Sequence, residues 1–254
     1  MVNIDLINSR IIRILGNLVK GISIAFHKIF PNKRFTIPEY SAPLIKSKKQ
    51  IAIPKIIWQT NFTNQVSLPI YVNYLFNRVI APSYEYRFIL DIDQYIKDNY
   101  PYAFDAYSKL TVGASKADLW RLLALYEHGG IYIDMDGCLV AKPSKILKDK
   151  TEMFIKAKQL YITNYYFAVA PGNEKIQQCI NTIITNIESG DTSLGVWNLT
   201  GPGVMGKIIN NENTTWRYAR ETCVQGAFTN EYFQYIDKSE GKWTKVKNDD
   251  ILKR

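Results

Sequence analysis

The sequence predicts an α/β fold, with a mixed sheet flanked by helices and an amphipathic helical segment in front. Three observations carry that expectation. Short β-branched runs, such as the one from Ile51 to Thr60, are followed by longer stretches with helical apolar spacing. The window from Ala114 to Val140, ASKADLWRLLALYEHGGIYIDMDGCLV, reads as a helix, a double-glycine stop and a short strand. A length of 254 residues, with 46% apolar and 22% charged side chains, suits an ordinary globular chain with a sizeable core.

Charge and composition narrow the function. The formal charge is +9, and residues 1–50 hold nine basic against two acidic side chains. Basicity confined to one segment argues against a general nucleic-acid partner. Cys138, Cys179 and Cys223 are widely spaced and odd in number, which disfavours a disulfide framework or a Cys-based zinc site. With His27 and His128 as the only histidines, paired-His catalysis is hard to assemble. No signal peptide is apparent, so a cytoplasmic setting is expected.

Taken in order, residues 4–30 place Ile4, Ile7, Ile11, Leu18, Ile22 and Ile29 at helical spacing. Arg10, Arg13, Asn17 and Lys20 interrupt the run and spoil a membrane span. Two readings stay open for residues 1–30: a basic amphipathic helix on an anionic membrane surface, or a helix packed on the core or a dimer partner. Pro31 closes this segment, and residues 31–50 read as a linker or extended crossing. The expected division is therefore 1–50, a basic helix and linker, and 51–254, the main domain.

The strand Ile51–Thr60 should lead its C-terminal end into a ligand crevice. That puts Trp58, Gln59, Thr60, Asn61 and Phe62 where a base could be held, although Trp58 equally suits a core. Leu68 to Ile80 reads as a helix, and Tyr84 to Leu90 as a second strand. Asp93 is expected to cap a helix running to about Tyr100, with Pro101 marking its end. Ser115 and Asp118 give a capping-box-like start to the next helix, which is apolar almost all round. Asp118 and Arg121 share a face of it. They form either a local ion pair or one wall of a polar cleft, and the cost of burying charge favours the cleft.

Gly129-Gly130 ends that helix through a left-handed residue. The strand from Ile131 then delivers Tyr132, Asp134 and Asp136 on one side. Two carboxylates at this spacing suit a hard divalent cation that keeps waters and borrows diphosphate oxygens. Later come strands at 154–155 and 161–170, a helix from Glu174 to about Ser189, and a glycine-rich loop at 195–206. Short aromatic strands over 213–247 finish the chain.

Taken together, IPKIIWQT, PSYEYRF, ASKADLWRLLALYEHGGIYIDMD and the TGPG of Thr200 to Gly203 resemble the DXD sugar-transfer glycosyltransferases. That group includes yeast initiating α-mannosyltransferases and bacterial capsule and O-antigen transferases, with clostridial glucosylating toxins as distant relatives. The resemblance covers residues 51 to about 206. It implies a GT-A fold, Rossmann-like, and metal-dependent retaining transfer from a nucleotide-diphosphate sugar. A UDP-sugar is favoured, a GDP-sugar is the alternative, and the cofactor would be Mn²⁺ or Mg²⁺. The acceptor would be a glycan or lipid-linked glycan in capsule, O-antigen or exopolysaccharide synthesis, at the inner face of the cell membrane.

The same resemblance assigns residues. Asp134 and Asp136 would be catalytic, with Asp136 on the metal and Asp134 near it, touching ribose or donor sugar. Asp118 and Arg121 would hold the donor sugar, and Trp58, Gln59, Thr200 and Gly201 would complete the donor site. Two departures stand out. Trp58 replaces a common His and Asn61 a common Trp, so base stacking falls to Trp58, to Phe62 or to neither. Near the C-terminus, where relatives often carry His and Ser-Trp, there is only Lys242-Trp243.

Two rival readings remain. IYIDMDGCLV also resembles motif I of HAD-type phosphatases, with Asp134 as nucleophile, Asp136 as general acid and Mg²⁺ as cofactor. Cys138 stands where that motif normally has Thr or Ser, and the preceding helix has no role in it. A non-enzymatic, membrane-associated scaffold would explain residues 1–50 and leave the four charged residues as coincidence.

Overall fold

The apolar runs of the main domain assemble one mixed sheet, buried on both faces at its centre. The computed structural model describes residues 3–47, 49, 51–158, 161–209, 214–238 and 243–253, so Lys242 lies outside them. The chain opens with α1 (Ile4–Ile29), then β1 (Phe35–Thr36), β2 (Tyr40–Ser41), β3 (Ile56–Thr60), β4 (Gln65–Val66), α2 (Leu68–Ile80) and β5 (Glu85–Ile89). It continues through α3 (Ile92–Asn99), α4 (Pro101–Lys109), α5 (Gly113–His128), β6 (Gly130–Ile133), β7 (Gly137–Leu139) and α6 (Pro143–Ile146). It finishes with β8 (Glu152–Lys156), β9 (Ile162–Val169), α7 (Glu174–Ser189), α8 (Gly195–Leu199), α9 (Pro202–Ile208), β10 (Trp216–Tyr218), β11 (Cys223–Gln225) and α10 (Glu231–Gln234).

Seven strands pair in the order β10-β8-β9-β6-β3-β5-β2. β3 runs parallel to both β5 and β6, while β9 and β2 run antiparallel to their neighbours. The chain leaves β3 toward β5 on one side and returns to β6 on the other. That reversal is the switch point outside which open α/β sheets bind ligands, at the C-terminal ends of the strands. Here those ends are Thr60 of β3 and Ile133 of β6, directly before Asp134.

Side-chain alternation sorts the two faces. Tyr86 and Phe88 of β5 join Ile57, Ile131 and Ile133 in a core beneath α2. Trp58, Tyr132, Phe154 and Phe167 join the apolar body of α5 and α7 on the other face. A third, smaller cluster places Ile12 of α1 against Val224, Ala227 and Phe228.

Several boundaries differ from the expectation. Residues 31–50 are not a plain linker: β2 forms the sheet edge against β5, and β1 pairs with β4. A division at residue 50 thus cuts through the sheet. The cap of α3 is Asp91, which accepts from the N–H of Gln94 at 2.9 Å. Asp93 instead pairs with Lys116 at 2.7 Å, and Pro101 opens α4 as well as closing α3. α5 starts at Gly113 without a side-chain cap, so Ser115 and Asp118 form no capping box. Residues 195–206 are mostly helical, forming α8 and the start of α9 around a short break at Thr200-Gly201.

Candidate active site

The site is built where α5 meets the end of β6, and the two glycines between them set that junction. Gly129 has φ 62 and Gly130 φ 108, both on the side of the map that side chains avoid. Gly129 has ψ −166, so the turn is extended rather than the left-handed helical cap expected. A Cβ on Gly129 would meet Pro171 and Pro54 within 2.9 Å, and one on Gly130 would meet the Ile56 carbonyl at 2.7 Å. β6 can lie against β3 here because both residues lack a side chain.

Arg121 of α5 is the centre of the cluster. Its guanidinium pairs with Asp118 at 3.1 Å and with Asp134 at 3.4 Å, and donates to the Asn164 carbonyl at 2.7 Å. It lies 4.2 Å over the Tyr132 ring, whose hydroxyl donates to Asp134 at 2.6 Å. Asp118 also accepts from Asn164 Nδ2 at 2.8 Å and from Thr200 Oγ1 at 3.0 Å. Both alternatives for the Asp118–Arg121 pair are thus realised, since the pair is an internal bridge that also walls the site. Thr200 reaches this cluster, whereas the Gly201 N–H bonds to the Val196 carbonyl at 3.1 Å.

The strand ends at Ile133, before either Asp134 or Asp136, so the two do not share a strand face. Asp134 to Asp136 form a turn, closed by the Gly137 N–H donating to the Asp134 carbonyl at 2.9 Å. Asn73 of α2 holds that turn from below, donating to the carbonyls of Met135 and Gly137, both at 2.9 Å. Asn77 donates to Gly137 at 2.8 Å and accepts from the Leu139 N–H at 2.9 Å. Asp136 accepts from Gln225 Nε2 at 3.3 Å, and its carbonyl accepts from the Gly226 N–H at 2.9 Å. Gln59 is buried, its amide 3.4 Å from the Ile133 carbonyl, so it steadies the strand end.

Trp58 goes elsewhere. It is 1% exposed, donates from Nε1 to the Gly129 carbonyl at 3.0 Å and stacks on His128. Its ring is therefore tied to the start of β6 rather than the end that carries Asp134. Phe62 is 41% exposed beside a hollow of about 320 Å³ lined by Asn32, Arg34, Thr63, Gln65 and Asp237.

Electrostatics set the chemistry. Burial pushes the Asp118 carboxyl up to about 7 against the opposing pull of Arg121. Burial also raises Asp134, and it raises Asp136 with help from the neighbouring Asp134 charge. One guanidinium cannot offset three carboxylates, so the ionised site lacks positive charge. Among the described residues no three His, Cys, Asp or Glu side chains converge to hold a metal alone. The donor set still fits a hard cation that takes Asp134 and Asp136 and draws its remaining ligands from diphosphate and water. Asn73, Asn77, Asn164 and Gln225 were not singled out from the sequence. The pair of asparagines four apart in the apolar helix at 68–80 was the one signal available.

A Rossmann-like mixed sheet with acidic side chains at its switch point is a GT-A-like fold. A solved structure described as PaToxG Glycosyltransferase has this fold, with a TM-score of 0.50 at 20% identity over 80% of this chain and 79% of that one. Residues 40–153 match the family described as "Glycosyltransferase sugar-binding region containing DXD motif". Inositol phosphoceramide mannosyltransferase 3 of Schizosaccharomyces pombe is 36% identical over 98 residues, covering 37% of this chain and 27% of the relative. Mannosyl phosphorylinositol ceramide synthase CSH1 of Saccharomyces cerevisiae is 33% identical over 102 residues, 39% of this chain and 27% of that protein. The chain thus spans about a quarter of the length of these relatives. The family segment takes in both α5 and β6, and the phosphatase reading had no role for the first of them.

Proposed function

We propose that the chain is a metal-dependent, retaining glycosyltransferase that moves a hexose from a nucleotide-diphosphate donor to a glycan acceptor. The observation that carries this reading is the Arg121 bridge, which ties Asp118 on the helix to Asp134 at the strand end. A UDP-sugar remains the favoured donor and a GDP-sugar the alternative. The names of the yeast relatives refer to mannosyl transfer onto a ceramide lipid, which supports a hexosyl donor and a lipid-linked acceptor. We place the activity in capsule, O-antigen or exopolysaccharide synthesis, with the chain peripheral at the inner face of the cell membrane.

In this mechanism Asp118 and Arg121 orient the donor sugar, with Asn164 and Thr200 fixing the Asp118 carboxylate. Arg121 contributes charge-assisted hydrogen bonds to donor oxygens. Asp136, steadied by Gln225, and Asp134, steadied by Tyr132, would hold Mn²⁺ or Mg²⁺. The ion, when bound, offsets the charge that develops on the departing nucleotide diphosphate. With Trp58 buried, we assign the base to Phe62, which is exposed just beyond the end of β3. The test is a screen of UDP- and GDP-hexoses with Mn²⁺ for binding and slow hydrolysis. Turnover of one donor that disappears in Asp136→Asn supports the reading, and binding of no donor defeats it.

A further inference from the structure

Helix α1 is mounted on the protein by its least apolar side. Ser9, Ile12, Gly16, Ser23 and His27 are buried, whereas Ile7, Ile11, Ile14, Leu18, Ile22 and Ile29 face solvent. From Ile7 to Ile22 the exposed set recurs at three- and four-residue intervals, and Ile29 follows two turns on, so they share one stripe. It is well exposed, with Ile14 at 70% and Leu18 at 61%. Arg10 and Lys28 are exposed along its flank, and Arg13 is exposed further round, toward the seated side. A stripe of this length is unusual on a free surface and marks an interaction face.

The mounting is rigid. Asp5 pairs with Arg217 at 2.6 Å, Lys20 donates to the Gly226 carbonyl at 3.4 Å, and His27 Nε2 accepts from the Leu68 N–H at 3.1 Å. At Gly16 the helix presses so close that a Cβ would stand 2.0 Å from the Ala227 carbonyl. The segment beneath it, Gln225-Gly226, is the one that bonds to Asp136.

We infer that the outward face of α1 docks flat on an anionic phospholipid leaflet. Twenty-six residues give a rod of about 39 Å, and no described helix is long and apolar enough to cross a membrane. A second copy would cover the stripe but set the two basic flanks near each other. An anionic leaflet satisfies stripe and flank together. With α1 on the surface, the Gln225-Gly226 segment links the docked helix to Asp136, since Gly226 accepts from Lys20 and donates to the Asp136 carbonyl. The inference deepens the peripheral placement proposed above and does not depend on the transfer chemistry.

Co-sedimentation of the full chain with vesicles tests it. The chain should pellet with phosphatidylglycerol vesicles, weakly with phosphatidylcholine alone, and less in high salt. The double variant Ile14→Glu, Leu18→Glu should stay in solution, and Arg10→Gln, Lys28→Gln should bind at least about tenfold more weakly. Both should keep the wild-type melting temperature and donor binding. Equal pelleting of wild type and Ile14→Glu, Leu18→Glu would overturn the inference. So would a dimer in sedimentation equilibrium that this variant dissolves. Vesicle binding that persists while no donor binds supports the docking face and counts against the transferase alone.

Discussion

Helices α5 and α1 both invert the usual partition of side chains, in opposite senses. α5 is buried on nearly every side and carries two charges, Asp118 and Arg121, into the interior. α1 is exposed on most of its surface and carries all its isoleucines but Ile12 into solvent. What separates them is compensation. Every oxygen of Asp118 has a donor and Arg121 has two carboxylates, so the inversion in α5 is complete within the chain. The stripe of α1 has no such partner among the described residues. Buried charge that is fully partnered reads as a site, and exposed apolar surface that is unpartnered reads as an interface.

That contrast can be broken at its strongest point first. Arg121→Met removes the cation from two carboxylates and should cost about 3–5 kcal/mol, the usual result of stranding a buried charge. Urea unfolding measures it, and a loss below about 1 kcal/mol would mean the bridge behaves like a surface pair. Next comes the seat of α1. Gly16→Leu should cost about 1–3 kcal/mol by forcing the helix off Ala227, whereas Gly21→Leu, with nothing within 4 Å, should leave thermal stability unchanged or slightly raised. Equal effects at the two glycines would show that α1 is not seated as described.

A smaller and slower effect is expected with pH. Burial raises the folded Asp118 and Asp136 carboxyls, so the folded protein keeps protons that the unfolded chain releases. The contribution of these groups to stability therefore falls as pH rises from about 4, the unfolded value, toward about 7. Mn²⁺ should flatten this loss, and so should Asp136→Asn, when melting temperature is followed across that window. A wild-type slope no steeper than that of Asp136→Asn would contradict it. The smallest change belongs to the exposed stripe, where Ile14→Ser should alter unfolding free energy by no more than about 0.5 kcal/mol.

Much of this was legible in the sequence. The helices at 68–80 and 174–189 fall where their apolar spacing places them, and residues 113–133 fold as the helix, glycine turn and strand that were read there. Thr200 reached Asp118 because the helix break puts its hydroxyl there, although the loop is mostly helical. Trp58 was ambiguous because strand position fixes which face a side chain takes but not how far an indole reaches along it. Asn73, Asn77 and Gln225 were hidden for a different reason. The partners of Asn73 and Asn77 are backbone atoms and that of Gln225 is the Asp136 carboxylate, all distant in sequence, and single-residue chemistry gives no sign of them. The short strands β1 and β2 were missed because two-residue pairings carry no periodicity.

The central claim is that Asp134 and Asp136 hold a cation against a nucleotide diphosphate beside the Arg121 bridge. Calorimetric titration of UDP and GDP into the full chain, with and without Mn²⁺, tests it most directly. One nucleotide should bind only when Mn²⁺ is present, and Asp136→Asn should weaken that binding about 10–100-fold or more while the protein stays folded. Binding of equal strength without the metal, or undiminished in Asp136→Asn, would contradict the account.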